Sequence, residues 1–237
     1  MIDYITKKQL YAFVEKLRSQ LGLFDVPVNV MNALPSNIIL EFADFKTYGF
    51  SGAAFVGSKS DMIVLNKNRA PTDQNFDCAH ELIHLTKHRN YGINYFECFE
   101  KAAETGNSTC KESDLLDENT CDLRILEWQA NEGAAELLLP YKLVIPDFSE
   151  LFKKLSSYTW TEMHDLFTVL SQKYNTGYSL TYNRIRNLAY EIHQYENGIS
   201  NIQVLSANAQ QKSGITVPDY AALADRLYIN VNWFVPY

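Results

Sequence analysis

The chain has 237 residues, of which 46% are hydrophobic, and a formal net charge of −7. This length and apolar content suffice to bury a sizeable core. The negative charge argues against broad nucleic-acid affinity, which depends on neutralising phosphates. No apolar run approaches the roughly 18 residues of a membrane span, and the first residues lack the pattern of a signal peptide. We therefore expect a cytoplasmic protein without a membrane partner, whose 4 cysteines are free thiols.

The N-terminal third predicts one helix followed by short strands. Residues 4–21 carry apolar side chains at helical spacing, which indicates an amphipathic helix. Residues 38–42 and 50–56 are β-prone and predict strands of a small antiparallel sheet. The apolar run at 61–66 predicts a strand that leads through a loop into the next helix. As an edge strand it would hold an extended peptide by main-chain hydrogen bonds.

The most informative motif is His80-Glu81-Leu82-Ile83-His84. Residues four apart on an α-helix share a face, about 6 Å apart, so two imidazoles at this spacing can bind one metal ion. Glu81 would project beside them toward a metal-bound water as a general base. Apolar residues between 76 and 85 favour a helix packed on a core. The alternative is an amphipathic helix whose histidines are merely half-buried or at the surface.

A catalytic zinc site needs a third protein ligand, and the nearby histidine does not qualify. His88 lies two helical turns from His80, about 12 Å along the axis, which is too far to share one ion with both ligands. We expect it to be an exposed histidine at the helix end. The longer zinc motif with a third histidine also fails, because Lys87 and Asn90 stand where Gly and His are required.

A better third ligand lies in residues 127–140, which predict a second helix. Glu127 and Asn131 share the face that carries core residues, and a buried carboxylate needs a partner, which zinc would provide. Asn131 could hydrogen-bond to a ligand imidazole and fix its tautomer. The alternative is a salt bridge from Glu127 to Arg124 on a solvated face.

The motif at 80–84, paired with the later run Glu127-Trp128-Gln129-Ala130-Asn131 and its continuation to Pro140, resembles the ImmA/IrrE-type metallopeptidases. In that family an acidic residue opens a helix of the form E-x-x-A-N-x-F-A-x-x-L-L-x-P. The resemblance covers roughly residues 30 to 190. It implies His80, His84 and Glu127 as ligands of one zinc ion, with Glu81 as the catalytic acid/base. Such ligands also accept Mn²⁺ or Fe²⁺.

We accordingly expect an α+β fold, a mainly helical, zincin-like (gluzincin-type) metallopeptidase domain with a small antiparallel sheet. Residues 163–170 and 178–192 predict a following hairpin of two helices, with the outline of a helix-turn-helix; an αα-hairpin packed on the catalytic domain is the commoner explanation. The predicted units are the metallopeptidase domain at 1–145, the hairpin subdomain at 146–196 and a tail of unknown role at 197–237.

Two features depart from the family pattern. Gly133 stands where the family usually has a bulky aromatic residue, so a core contact would be missing unless Trp128 or Phe99 fills the space. Glycine inside a helix also costs about 0.5–1 kcal/mol relative to alanine. The connection at 89–122 is long and polar, and we interpret it as a lid beside the cleft. The alternative is a surface insertion without a catalytic part.

The mechanism has Glu81 taking the proton of the attacking water and delivering it to the leaving amine. A further donor should stabilise the oxyanion. Tyr91, Tyr95 and Tyr141 are candidates by their neighbourhood alone, and none of them is assigned.

Three functional hypotheses follow. The first is a zinc-dependent endopeptidase that cuts a protein substrate; known family members act on or with helix-turn-helix repressors, which implies such a repressor here. The second is a non-cleaving, metal-containing regulator that sequesters a transcription factor. The third is a DNA-binding regulator that uses Arg184 and Arg186 of the hairpin. Only the first yields fragments of a repressor, and only the third predicts salt-dependent duplex binding that falls when these arginines are neutralised.

Overall fold

The computed structural model describes residue 5 and residues 7–46, 49–99, 118–157 and 159–196, with only the backbone given at 98–99, 118–124, 190 and 193–196. These residues form six α-helices and four strands: α1 (Lys7–Gln20), β1 (Ile38–Ala43), β2 (Phe50–Phe55), β3 (Asp61–Asn66), α2 (Pro71–Lys87), β4 (Tyr95–Phe99), α3 (Glu118–Leu138), α4 (Tyr141–Phe152), α5 (Trp160–Tyr174) and α6 (Tyr178–Glu196). Among the described residues, no helix is long and apolar enough to cross a membrane. The architecture is α+β and mostly helical.

The helix that carries the His-Glu motif lies at the centre of the molecule. α2 begins with Pro71, whose missing N–H costs nothing in a first turn, and ends before His88. One side of α2 packs on β2 and β3, and another packs on α3. Its Leu82 and Ile83 side chains are fully buried. The position between sheet and helix explains why most of this helix faces protein on all sides.

The sheet is mixed, in the order β1-β3-β2-β4. β1 runs parallel to β3, whereas β2 is antiparallel to both β3 and β4. The prediction of an antiparallel sheet is therefore wrong in part, because β1 pairs in parallel with β3, which lies between β1 and β2. Ile63 and Leu65 of β3 are fully buried, and a strand with such residues gains most from a central place. The run at 61–66 is thus not the edge strand we predicted.

Among the described residues, the outer strand beside α2 is β4 instead. It pairs with β2 and belongs to the early part of the segment that we interpreted as a lid. The Phe96 ring of β4 stacks on His84, with ring centroids 4.3 Å apart. Residues 100–117 lie outside the described residues, so the lid stays a prediction for them.

The helix predicted at 127–140 forms part of α3, which begins earlier and ends before Pro140. α4 follows directly and spans the 145/146 boundary that we placed between two units. α5 opens with a capping box between Thr159 and Glu162, and Asn175 ends it in the left-handed region at φ 51°. α4, α5 and α6 pack on one another. The predicted tail at 197–237 lies outside the described residues.

Candidate metal centre

Three potential ligands converge where α2 faces α3. His80 and His84 lie one turn apart on α2, and Glu127 approaches them from α3. Their ligand atoms all lie within 4.8 Å of one another. The Nε2 atoms of the two histidines are 3.0 Å apart. The Glu127 carboxylate oxygens lie 3.4 Å from His80 Nε2 and 3.3 Å from His84 Nε2. The structure thus brings together the three residues that the sequence selected as ligands.

These separations fit a small divalent cation. Ligand atoms held at about 2.0–2.1 Å from a tetrahedral ion stand about 3.3 Å from one another. Two imidazole nitrogens and one carboxylate are also a donor set that zinc accepts in catalytic sites. The alternative partner of Glu127, the side chain of Arg124, lies outside the described residues.

The orientation of His80 is fixed by α3. Its Nδ1 lies 3.2 Å from the Oδ1 of Asn131. Because an amide oxygen only accepts hydrogen bonds, Nδ1 carries the proton in this arrangement, and the lone pair of Nε2 is directed toward Glu127 and His84. Asn131 therefore contacts the imidazole of one of the candidate ligands.

Burial differs across the three candidate ligands. The side chains of His80 and His84 are fully buried, whereas that of Glu127 is 38% exposed. The donor set is therefore accessible from the side of Glu127. Burial lowers the pKa of His84, which favours the neutral imidazole that a metal requires. Burial acts to raise the pKa of Glu127, but its interactions with His80 and His84 hold that pKa below its usual range.

Glu81 lies next to His80 and is fully buried. Within the described residues, neither of its carboxylate oxygens has a hydrogen-bond partner. Burial raises its pKa to about 8; His80 lowers it, and the negative charges of Glu127 and Asp77 raise it further. Gly52 of β2 lies beside this carboxylate: a Cβ added at Gly52 would be 3.6 Å from Glu81 Oε1. A pKa near neutrality suits a group that must both accept and return a proton.

His88 is not the exposed residue that the sequence predicted. It is fully buried, and its Nδ1 lies 3.0 Å from the Nδ1 of His84. Its Nε2 lies 3.1 Å from the Oε1 of Gln129, which is also fully buried. Burial lowers the pKa of His88 to about 3, so the ring is neutral. The four-residue spacing from His84, which puts both rings on one helical face, is the signal in the sequence for this contact.

Gly133 allows α3 to approach α2 closely. A Cβ added at Gly133 would lie 3.2 Å from the Cδ1 and Cγ1 atoms of Ile83. The space left by the missing aromatic residue is therefore filled by Ile83 from the His-Glu motif itself. Neither of the two residues proposed for this role, Trp128 and Phe99, is needed; the side chain of Phe99 lies outside the described residues.

The three tyrosines considered as oxyanion donors lie in different places. Tyr141 is buried, and its ring stacks on Tyr11 of α1. The Tyr91 ring lies 6.2 Å from that of His88. Tyr95 is 44% exposed on β4, where its hydroxyl donates to Glu97. That hydrogen bond raises the pKa of Tyr95 to about 12, and the charge of Glu81 contributes to the shift.

Comparison with known proteins agrees with this geometry. Residues 36–186 match the family described as Peptidase_M78, IrrE N-terminal-like domain. The match covers more than half of the chain, so the chain belongs to this family of metallopeptidases, which confirms the resemblance seen in the sequence. No curated protein matches the chain.

Proposed function

We propose that this chain is a zinc-dependent endopeptidase in which His80, His84 and Glu127 hold the ion and Glu81 is the catalytic acid/base. The observation that carries the proposal is the convergence of three ligand atoms beside a buried glutamate of raised pKa. Membership of a metallopeptidase family supports the same reaction class. Mn²⁺ and Fe²⁺ also suit these ligands, and metal analysis distinguishes them from zinc.

When bound, a divalent ion supplies Lewis-acid chemistry, lowering the pKa of a water and polarising a peptide carbonyl. The residues of the chain perform the proton transfers. Glu81 accepts a proton from the attacking water and then donates it to the amine that leaves as the C–N bond breaks. Asn131 holds His80 in the tautomer that presents Nε2 to the ion. Glu127, the partly exposed ligand, borders the side from which a substrate reaches the centre.

The substrate class follows from the family. A peptidase acts on a peptide or protein, and the resemblance to ImmA/IrrE proteins suggests a helix-turn-helix repressor, which would place the reaction in the cytoplasm. We expect an extended segment of this substrate to pair with β4, the outermost strand on that side among the described residues. The Phe96 ring of β4 stacks directly on His84, so a peptide paired with this strand would lie next to the proposed metal centre.

Metal analysis of purified protein tests the site. We expect about one zinc per wild-type chain and the loss of most of it in Glu127→Ala, because two histidines alone leave the ion short of a ligand. Glu150→Ala is the matched control, since Glu150 is an exposed glutamate on α4 that pairs only with Lys154 in the described structure. Zinc that stays bound in Glu127→Ala would remove Glu127 from the ligand set.

Cleavage is tested separately from binding. The zinc-loaded protein is incubated with a purified candidate repressor, and the products are examined by mass spectrometry. A new N-terminus that depends on metal supports the peptidase. A stable complex without fragments, for a chain that holds zinc, would instead favour the non-cleaving regulator.

A further inference from the structure

His88 extends the row of histidines on α2 beyond the proposed ligands. It lies eight residues from His80, about 12 Å along the helix axis, so it cannot bind the same ion as both His80 and His84. It is nevertheless fully buried and contacts His84 through a ring nitrogen. A buried imidazole whose two nitrogens both have partners is a defined part of a hydrogen-bond network.

The direction of the hydrogen bonds in this network follows from Gln129, the residue at its end. The Oε1 of Gln129 can only accept, so the Nε2 of His88 carries its proton and donates across 3.1 Å. The Nδ1 of a neutral His88 then holds a lone pair and accepts the hydrogen bond from the Nδ1 of His84, 3.0 Å away. His84 is thereby left with its lone pair on Nε2, the atom that faces His80 and Glu127.

Both His80 and His84 are therefore left with the lone pair on Nε2, but through different hydrogen-bond partners. Asn131 contacts His80 directly, whereas His84 contacts α3 through His88 and Gln129. The other side of His84 is covered by the stacked ring of Phe96. Glu127, Gln129 and Asn131 are alternate residues of one helix, so the helix that supplies the third proposed ligand also orients the first two.

We infer that His88 and Gln129 are positioning residues that fix the tautomer and the ring orientation of His84 for metal binding. The inference rests on the proposed function for its consequence, because orientation matters only if His84 binds the ion. Partners of this kind typically change metal affinity about 10- to 100-fold when they are removed.

Metal affinity is the first readout. Zn²⁺ binding is measured by competition with a chromophoric chelator, and the Co²⁺-loaded protein is compared by its d–d absorption spectrum. We expect His88→Ala to weaken Zn²⁺ binding about 10- to 100-fold and to alter the Co²⁺ spectrum. His88→Asn keeps an oxygen acceptor near His84 and should recover part of the affinity. His164→Ala, which removes a partly exposed histidine of α5, is the control and should match wild type.

Gln129 provides the second variant. Gln129→Met removes the acceptor for His88 and should weaken Zn²⁺ binding, whereas Gln129→Glu retains an acceptor and should keep most of the affinity. Near-UV circular dichroism of each variant verifies that it is folded. Wild-type Zn²⁺ affinity in folded His88→Ala would overturn the inference.

The tautomer of His88 is the second readout, and it does not depend on activity. Long-range ¹H–¹⁵N NMR spectra of wild type should show His88 protonated on Nε2 and His84 protonated on Nδ1. A His88 protonated on Nδ1 would overturn the inference. If wild type binds no metal, the proposed function fails, but the tautomer of His88 in the same sample still decides whether the network exists.

Discussion

Glu81 is a carboxylate enclosed between α2 and the sheet. It is fully buried, and among the described residues no group donates a hydrogen bond to either of its oxygens. Desolvation of this kind destabilises the charged form, which is the main reason that its pKa rises to about 8. A residue in such a place weakens the fold, so its presence is better explained by chemistry than by stability. Two predictions test Glu81, one for its catalytic role and one for its effect on stability.

Replacement of Glu81 by Gln should abolish hydrolysis without loss of metal. The amide retains the shape of the side chain but cannot accept the proton of the attacking water. Loss of such a group costs about 10²- to 10⁴-fold in rate. The rate of cleavage of the candidate substrate and the zinc content are measured on the same preparation. Cleavage at the wild-type rate by Glu81→Gln would disprove the role assigned to Glu81.

The same variant should stabilise the chain when metal has been removed with a chelator. Between the ordinary glutamate pKa of 4.5 and the folded-state value of about 8, the folded chain holds a proton that the unfolded chain has lost. The stability of wild type therefore falls as the pH rises through this window, by about 1.4 kcal/mol per unit. Glu81→Gln has no carboxyl group at this position, so its stability does not fall with pH for this reason.

Urea unfolding of metal-free wild type and metal-free Glu81→Gln at pH 5, 6.5 and 8 measures this change in stability. The free energy of unfolding of Glu81→Gln minus that of wild type should grow by a few kcal/mol across the series. A difference that does not change with pH would show that Glu81 keeps an ordinary pKa in the folded chain.

At the scale of elements, the contact between α2 and α3 determines whether the candidate ligands meet. α2 carries the two histidines and α3 carries Glu127, so their separation determines the distances in the centre. Gly133 and Ile83 form the close contact of this pair. A glycine in the helix interior lowers helix propensity, but here it makes room for a branched side chain. The departure from the family pattern is therefore matched by a residue on the facing helix.

Gly133→Phe should destabilise the chain by about 1–3 kcal/mol, because the ring would overpack the space that Ile83 occupies. The shift of α3 should also weaken zinc binding. Ile83→Ala alone creates a cavity and should cost about 2–5 kcal/mol. In the double variant the ring fills that cavity, so the combined loss should be smaller than the sum.

A double-mutant cycle measures this coupling. Urea unfolding is carried out on wild type, both single variants and the double variant, and competition for zinc is the second readout. Strictly additive losses would show that Gly133 and Ile83 do not share one space.

Over the whole molecule, a buried ion network connects three helices that are distant in sequence. Arg184 of α6 donates to Glu132 of α3 at 2.6 Å and also contacts Glu136. Lys7 of α1 pairs with Glu191 of α6 and lies 3.4 Å from Glu132. Arg184 is thus enclosed by carboxylates and is not available to DNA phosphates, contrary to the hypothesis that gave it that role. The network holds α1 and α6 against the helix that carries Glu127.

Arg184→Ala should therefore destabilise the chain by about 3–5 kcal/mol, since it removes the cation that contacts buried Glu136 and one of the two cations beside Glu132. Arg186→Ala, two residues along α6 and only half-buried, is the control and should cost less than about 1 kcal/mol. Chemical denaturation compares the two variants. Equal losses would mean that the buried ion pairs of Arg184 do not hold α6 in place.

Much of the candidate centre was predictable because its geometry is local. The spacing of His80 and His84 places both imidazoles on one helical face in any fold, and Glu127 was found from the pattern of a second helix. The central position of β3 was not predictable, since the run at 61–66 can pair on one side or on both. The strand at Tyr95–Phe99 was also missed, because its sequence lies in a polar connection.

The sequence by itself determined which groups make up the candidate centre, since the residue types and the four-residue spacing specify two imidazoles, a neighbouring carboxylate and a helix to hold them. Only the tertiary structure decided how these groups are held. The burial of His88, its contact with Gln129 and the match of Gly133 with Ile83 depend on how closely α3 lies against α2. That distance results from packing between segments far apart in the chain, which no local pattern records.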